Sequence, residues 1–221
     1  TIKNHSFTEN LNSLLNIDGF NQLNILEFLK ISNNNSLLNV YGLNQLSSLG
    51  YLDISYNNSL LNINCLQSLS IINSNITITD NNQLNTINGL QTLSTVGGNL
   101  IIKDNTQLEI LDGMNTVSSI GGNLTLSNCK LNFNNNLFFN LTTINGFLEI
   151  LNFSNVNNTL NSFNNLLVVN QFIDIKNNSF TGIEGFEELT TTNSLNISGN
   201  QNILFIDAFN SISNITGDLT V

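Results

Sequence analysis

Glu149 and Asp174 occupy equivalent places in two similar stretches, LEI at 148–150 and IDI at 173–175. On neighbouring strands their carboxyls would stand about 5 Å apart, the spacing at which a retaining glycosidase holds its nucleophile and its acid. The rest of such a site is thin. The chain has no Arg to grip an acidic sugar, no Trp to stack on a ring, and one histidine, His5, near an end. A carbohydrate-active β-helix enzyme is therefore the remote reading, and the chain is expected not to be an enzyme. Asp80 and Asp104 share another phase and, with nearby carbonyls, offer oxygens to calcium, which takes six to eight of them. Two solvated turn carboxylates are the plainer reading, and no metal is assigned. Cys65 and Cys129 fall in different phases, too far apart for the roughly 7 Å between Cα atoms that a disulfide spans. They read as buried thiols.

The elements that would position these groups are set by composition and period. The 221 residues are 40% hydrophobic and carry a net charge of −10, with 48 Asn and only five Lys. Such a balance argues against nucleic acid and anionic membrane surfaces as partners. No apolar run approaches the roughly 18 residues of a membrane span, so no direct membrane insertion by this segment is expected. Nothing at Thr1 looks like the basic start and apolar block of a signal peptide, so any leader is expected to be already absent.

Apolar–any–apolar triplets begin at Leu29, Leu52, Ile76, Leu100, Leu124, Leu148, Ile173, Leu195 and Leu219, at intervals of 22 to 25 residues. Alternation within each triplet marks a short strand with one buried face. Gly–apolar pairs at 19, 42, 89, 113 and 185, and apolar pairs such as Leu93/Val96 and Val117/Ile120, keep the same period. A strand this short cannot bury its face alone, so the pattern predicts an all-β parallel solenoid of about nine rungs, one continuous domain over 1–221. Twelve of the 14 glycines fall in two phases of the repeat. Their freedom of backbone angle makes them candidate corners. Asn34, Asn57, Asn81, Asn105, Asn178 and Asn200 recur three residues after most triplets, and an inward amide there can bond its own turn and the next, building a ladder. The register slips around 128–160, where an insertion, bulge or protruding loop is expected. The triplet centres Lys30, Asp53, Thr77, Ile101, Thr125, Glu149, Asp174, Asn196 and Thr220 form the expected exposed sheet face. There Lys30 beside Asp53 should attract, and Glu149 beside Asp174 should repel.

The pattern L..I.GL..L..I.GNL.I..N..L, cleanest from Leu84 to Leu126, resembles the receptor L-domain branch of the leucine-rich-repeat solenoids. That branch includes ligand-binding lobes of insulin- and EGF-type receptors and fungal cell-wall proteins. The resemblance implies an extracellular or cell-surface glycoprotein that recognises or adheres to a protein or glycan. The chain departs from the receptor members in lacking a cysteine-rich neighbour and a disulfide cap. No cofactor is expected beyond covalent N-glycans. Acceptor candidates in N-x-S/T are Asn4, Asn75, Asn123, Asn140, Asn152, Asn157, Asn177, Asn196 and Asn214, while Asn34 and Asn57 coincide with the ladder and should stay bare. The alternative is structural. Leu219, Thr220 and Val221 lie in mid-strand, and an uncapped rung invites another copy, giving a filament by head-to-tail stacking.

Overall fold

Residues 13–135, 137–154 and 158–221, described by a computed structural model, wind into a parallel β-solenoid. Its main sheet stacks nine strands: Ile25–Ser32, Ser48–Ser55, Ile76–Thr79, Leu100–Lys103, Leu124–Ser127, Leu148–Leu151, Phe172–Lys176, Ser194–Ser198 and Leu219–Thr220. Each pairs with the next in parallel, and all nine triplet centres align, from Lys30 opposite Asp53 to Asn196 opposite Thr220. A second row of short strands, beginning at Ile71–Ile72 and running to Val168–Val169, joins that sheet through the long strand Ser48–Ser55. A third row holds Asn16–Ile17 with Asn39–Val40, then Thr159–Leu160, Gly182–Ile183 and Phe205–Ile206. Among the described residues helix is confined to three single 3-10 turns. The triplet flanks, such as Leu100, Ile102, Leu124 and Leu126, are fully buried along one interior.

What satisfies the backbone at the corners is asparagine. The Oδ1 atoms of Asn57, Asn81 and Asn105 accept the backbone N–H of Asn34, Asn57 and Asn81 in turn, at 3.1, 3.1 and 3.0 Å. Each Nδ2 donates to a carbonyl of the preceding rung and to one of its own strand; Asn81 reaches Ile54 O at 2.9 Å and Thr79 O at 3.0 Å. Asn178 and Asn200 resume the pattern, accepting from the N–H of Phe153 and of Asn178. Asn57, Asn81 and Asn105 are wholly buried. A buried amide so fully paired avoids the cost of an orphaned polar group.

Just ahead of each ladder position the chain enters the left-handed region, at Asn33, Tyr56, Asp80, Asp104, Asn128, Asn152, Asn177 and Gly199. Asn and Asp tolerate that conformation better than most residues. The glycines serve another purpose. Gly199 alone among the described glycines has positive φ, so the expectation that they supply unusual corner angles is corrected. They permit close approach: a Cβ on Gly89, Gly113 or Gly185 would strike the carbonyl oxygen of Ile63, Ile87 or Ser162 one rung back. Rungs about 4.8 Å apart leave no room for a methyl where a backbone turns inward over its neighbour.

Between 128 and 160 the solenoid continues. Strands on both sides keep register, while Asn136 and residues 155–157 lie outside the described set. Cys129 and Phe153 stand where the ladder would have asparagine, and Phe133, Phe153 and Phe180 pack edge-to-face and stacked in the interior. The slip in the sequence pattern coincides with a change of filling, from amide to thiol at Cys129 and to aromatic at Phe153, and the expected insertion or loop lies in part outside the described residues.

Asn81→Ala strips five hydrogen bonds from buried groups. It should cost about 3 kcal/mol or more in urea unfolding, against less than about 0.5 kcal/mol for exposed Asn82→Ala. Gly113→Ala should cost about 2 kcal/mol, whereas Gly19→Ala, with open space around its Cβ, should be near neutral; equal losses would contradict the close-approach account.

Candidate functional site

Alternation carries three columns of side chains onto the outer face of the main sheet. The central one is the aligned series Lys30 to Thr220. The trailing one runs Ser32, Ser55, Thr79, Lys103, Ser127, Leu151, Lys176 and Ser198, also in register. The leading one runs Phe28, Tyr51, Asn75, Asn99, Asn123, Phe147, Phe172 and Ser194, each immediately before its triplet.

The central column is less open than expected. Thr77, Ile101, Thr125, Glu149, Asp174 and Asn196 are half-buried, Thr220 is exposed, and Asp53 is only 5% exposed. Closely spaced rungs and two flanking columns crowd the central side chains from Asp53 to Asn196 on four sides. Lys30 Nζ lies 2.6 Å from Asp53 Oδ2, and that hydrogen bond, then the carboxylate's charge, raises the lysine pKa above its usual value. Asp53 Oδ1 is buried without a hydrogen-bond partner. Glu149 and Asp174 are opposite one another, yet the expected repulsion is relieved from both sides. Thr125 Oγ1 donates to Glu149 Oε2 at 3.0 Å, and Lys176 Nζ donates to Asp174 Oδ2 at 2.6 Å.

The leading column carries two features that the triplets do not advertise. In the middle is a second amide ladder: Asn75, Asn99 and Asn123 accept the N–H of Asn99, Asn123 and Phe147 at 2.7, 2.8 and 3.1 Å. Gly98, Gly122 and Gly146 make it feasible, because a Cβ on any of them would strike the amide oxygen of the rung before. On either side stand aromatic pairs, Phe28 with Tyr51 and Phe147 with Phe172. A groove of about 600 Å³ opens over the first pair, lined also by Glu27, Gly50, Asn73, Ser74 and Asn75. Reading each strand one residue further by strict alternation would have found this column.

The remaining candidates separate. Asp80 and Asp104 are left-handed corner residues; Asp104 accepts from Asn128 Nδ2 at 2.8 Å and has Lys103 3.9 Å away. No group of three His, Cys, Asp or Glu side chains converges among the described residues. Of the sequons, Asn34 and Asn57 are buried in the first ladder. Asn140, Asn152, Asn177 and Asn214 are exposed, and Asn196 is half-buried on the sheet face. Asn75 and Asn123, expected to be open acceptors, are half-buried with their oxygens engaged in the second ladder. Asn4, His5 and Asn157 lie outside the described residues.

No family model, curated protein or solved structure matches this chain.

Cys65 and Cys129 are unpaired and buried, and burial pushes both thiols from an ordinary 9.0 up to about 12. A raised folded pKa favours the protonated thiol, so its contribution to stability is complete below pH 9.0 and is lost as pH climbs towards about 12. At pH 8 iodoacetamide should therefore leave both unmodified in the folded chain and alkylate both in urea. Rapid labelling without denaturant would contradict their burial.

Proposed function

We propose that this chain is a non-catalytic recognition or adhesion module of the receptor L-domain type, working outside the cell or at its surface. It carries N-glycans and takes a protein or glycan partner on its outer sheet face. One observation supports this reading above others: a nine-strand parallel face whose outward residues stand in register and include two aromatic pairs. Side chains on such a face are held by the rungs above and below, so a partner meets a surface ordered in advance and less entropy is lost on binding. Aromatic side chains offer large contact area at low rotamer cost. Catalysis is disfavoured by the way the paired carboxylates are occupied. Glu149 and Asp174 are each tied to a neighbour's hydroxyl or ammonium group.

Two measurements test the proposal. On material from the native source, peptide mass mapping should find glycans at Asn140, Asn152, Asn177 and Asn214 and none at Asn34 or Asn57. A wholly bare chain would contradict the extracellular reading. In binding to a panel of cell-surface proteins and glycans, Tyr51→Ala should weaken capture of the partner by about tenfold, while the exposed Glu187→Gln leaves it intact. Capture indifferent to the outer face would overturn the assignment. Filaments that grow with concentration under negative stain would instead favour self-stacking.

A further inference from the structure

In-register aromatic side chains on neighbouring rungs of this solenoid lie flat on one another. Phe147 and Phe172 stack at 4.7 Å with their planes 11° apart, and the interior column Phe138, Phe163, Phe186 and Phe209 keeps within 12–23° throughout. Phe28 and Tyr51 are also in register, yet their centroids are 6.5 Å apart and their planes meet at 62°. The pair is splayed, Phe28 is 41% exposed, and the groove of about 600 Å³ lies over it. Gly50 removes a side chain from the corner beside Tyr51, where a Cβ would strike the Glu27 carbonyl. In the next rung Asn75 is turned along the stack towards the Asn99 N–H, which keeps it from closing over the rings.

The charges around the groove have one sign to spare. Lys30, the nearest cation in the central column, is bound to Asp53. Glu27 lines the groove, is exposed, and forms no ion pair among the described residues, whose cations pair with Asp53, Asp104, Glu109 and Asp174. The chain as a whole carries a net charge of −10, and among the described residues no cation lines the groove to offset Glu27. A splayed aromatic pair with a free carboxylate at its edge is the chemistry that recognises a cation: ring faces attract it through their quadrupole, and the carboxylate supplies the counter-charge. A neutral sugar would use the rings and the amides of Asn73 and Asn75 but leave the Glu27 charge unanswered.

We propose that the groove over Phe28 and Tyr51 receives an arginine or lysine side chain of a partner protein, with Glu27 as its counter-ion. This deepens the recognition reading given above and rests on it. The test follows backbone amide shifts of the whole chain by two-dimensional NMR during titration with three probes: a blocked Gly-Arg-Gly peptide, its Gly-Gln-Gly counterpart and maltotriose. The arginine peptide should shift the amides of residues 27, 28, 50 and 51, with apparent affinity falling as salt is raised. Glu27→Gln and Tyr51→Ala should each weaken it by about tenfold, and Glu187→Gln, the same charge change elsewhere, should not. Because Glu27 is exposed, Glu27→Gln keeps the test interpretable if Tyr51→Ala unfolds. The proposal is overturned if the arginine peptide leaves these amides unmoved, if Gln peptide or maltotriose moves them as strongly, or if Glu27→Gln binds like the parent. Should the peptide fail while Tyr51→Ala still weakens capture of the surface partner, the ligand class falls and the recognition reading stands.

Discussion

The solenoid depends on a buried amide that can serve two rungs at once. A chain that turns a corner every few residues points backbone N–H and C=O groups at its own interior, where no water reaches them and each orphan is costly. Asparagine has an oxygen and an NH₂ on one short stem. It can accept the N–H of the rung before while donating to two carbonyls, as Asn57, Asn81 and Asn105 do. A solution that satisfies one rung satisfies the next by translation, so the motif repeats. The second ladder, Asn75 to Asn123, runs the other way, each amide oxygen accepting the N–H of the rung that follows. An exposed third one, Asn35 to Asn58 to Asn82, joins side chain to side chain on the surface. The abundance of asparagine thus has a structural cause for a good part of the chain.

The same rung spacing explains both the glycines and the outer face. Where two backbones cross closely, a methyl has no place, and Gly89, Gly113 and Gly185 follow. Where side chains point outward, the spacing sets identical columns side by side. Such columns hold charges near one another, so Asp53, Glu149 and Asp174 each need a partner on the face, and each has one. The face is therefore a dense surface whose carboxylates are each paired, and a residue departing from its column stands out. Phe28 and Tyr51 depart by orientation, which is why the groove occurs there and not over Phe147 and Phe172.

Much of this was legible in the sequence, and the parts that were not have definite reasons. The triplets gave the sheet and the register of all nine central residues, because a buried two-residue period admits no slip without exposing Leu100 or Leu124. The inward asparagines could be placed because they kept phase with those strands. The leading column is not marked by the triplets although Phe28, Tyr51, Asn75 and Phe147 each directly precede one; a triplet points to a single outward position per rung where alternation allows three. The role of the glycines is ambiguous in sequence, which does not distinguish a residue needed for its φ from one needed for its lack of Cβ. Phe138, Phe163, Phe186 and Phe209, at φ values of 58° to 65°, could not be foreseen, since a bulky side chain is disfavoured there. Their mutual stacking offers a gain against that cost.

Hydrogen exchange at the ladder tests the central claim most directly. If the amide stack holds the rungs together, the backbone N–H groups of Asn34, Asn57 and Asn81, which bond to side chains and not to another strand, should exchange as slowly as the core strand amides at Ile78 and Ile102, and only through global unfolding. Exchange of these three within the first minutes, with the strand amides still protected, would show that the ladder is ornamental and contradict the account.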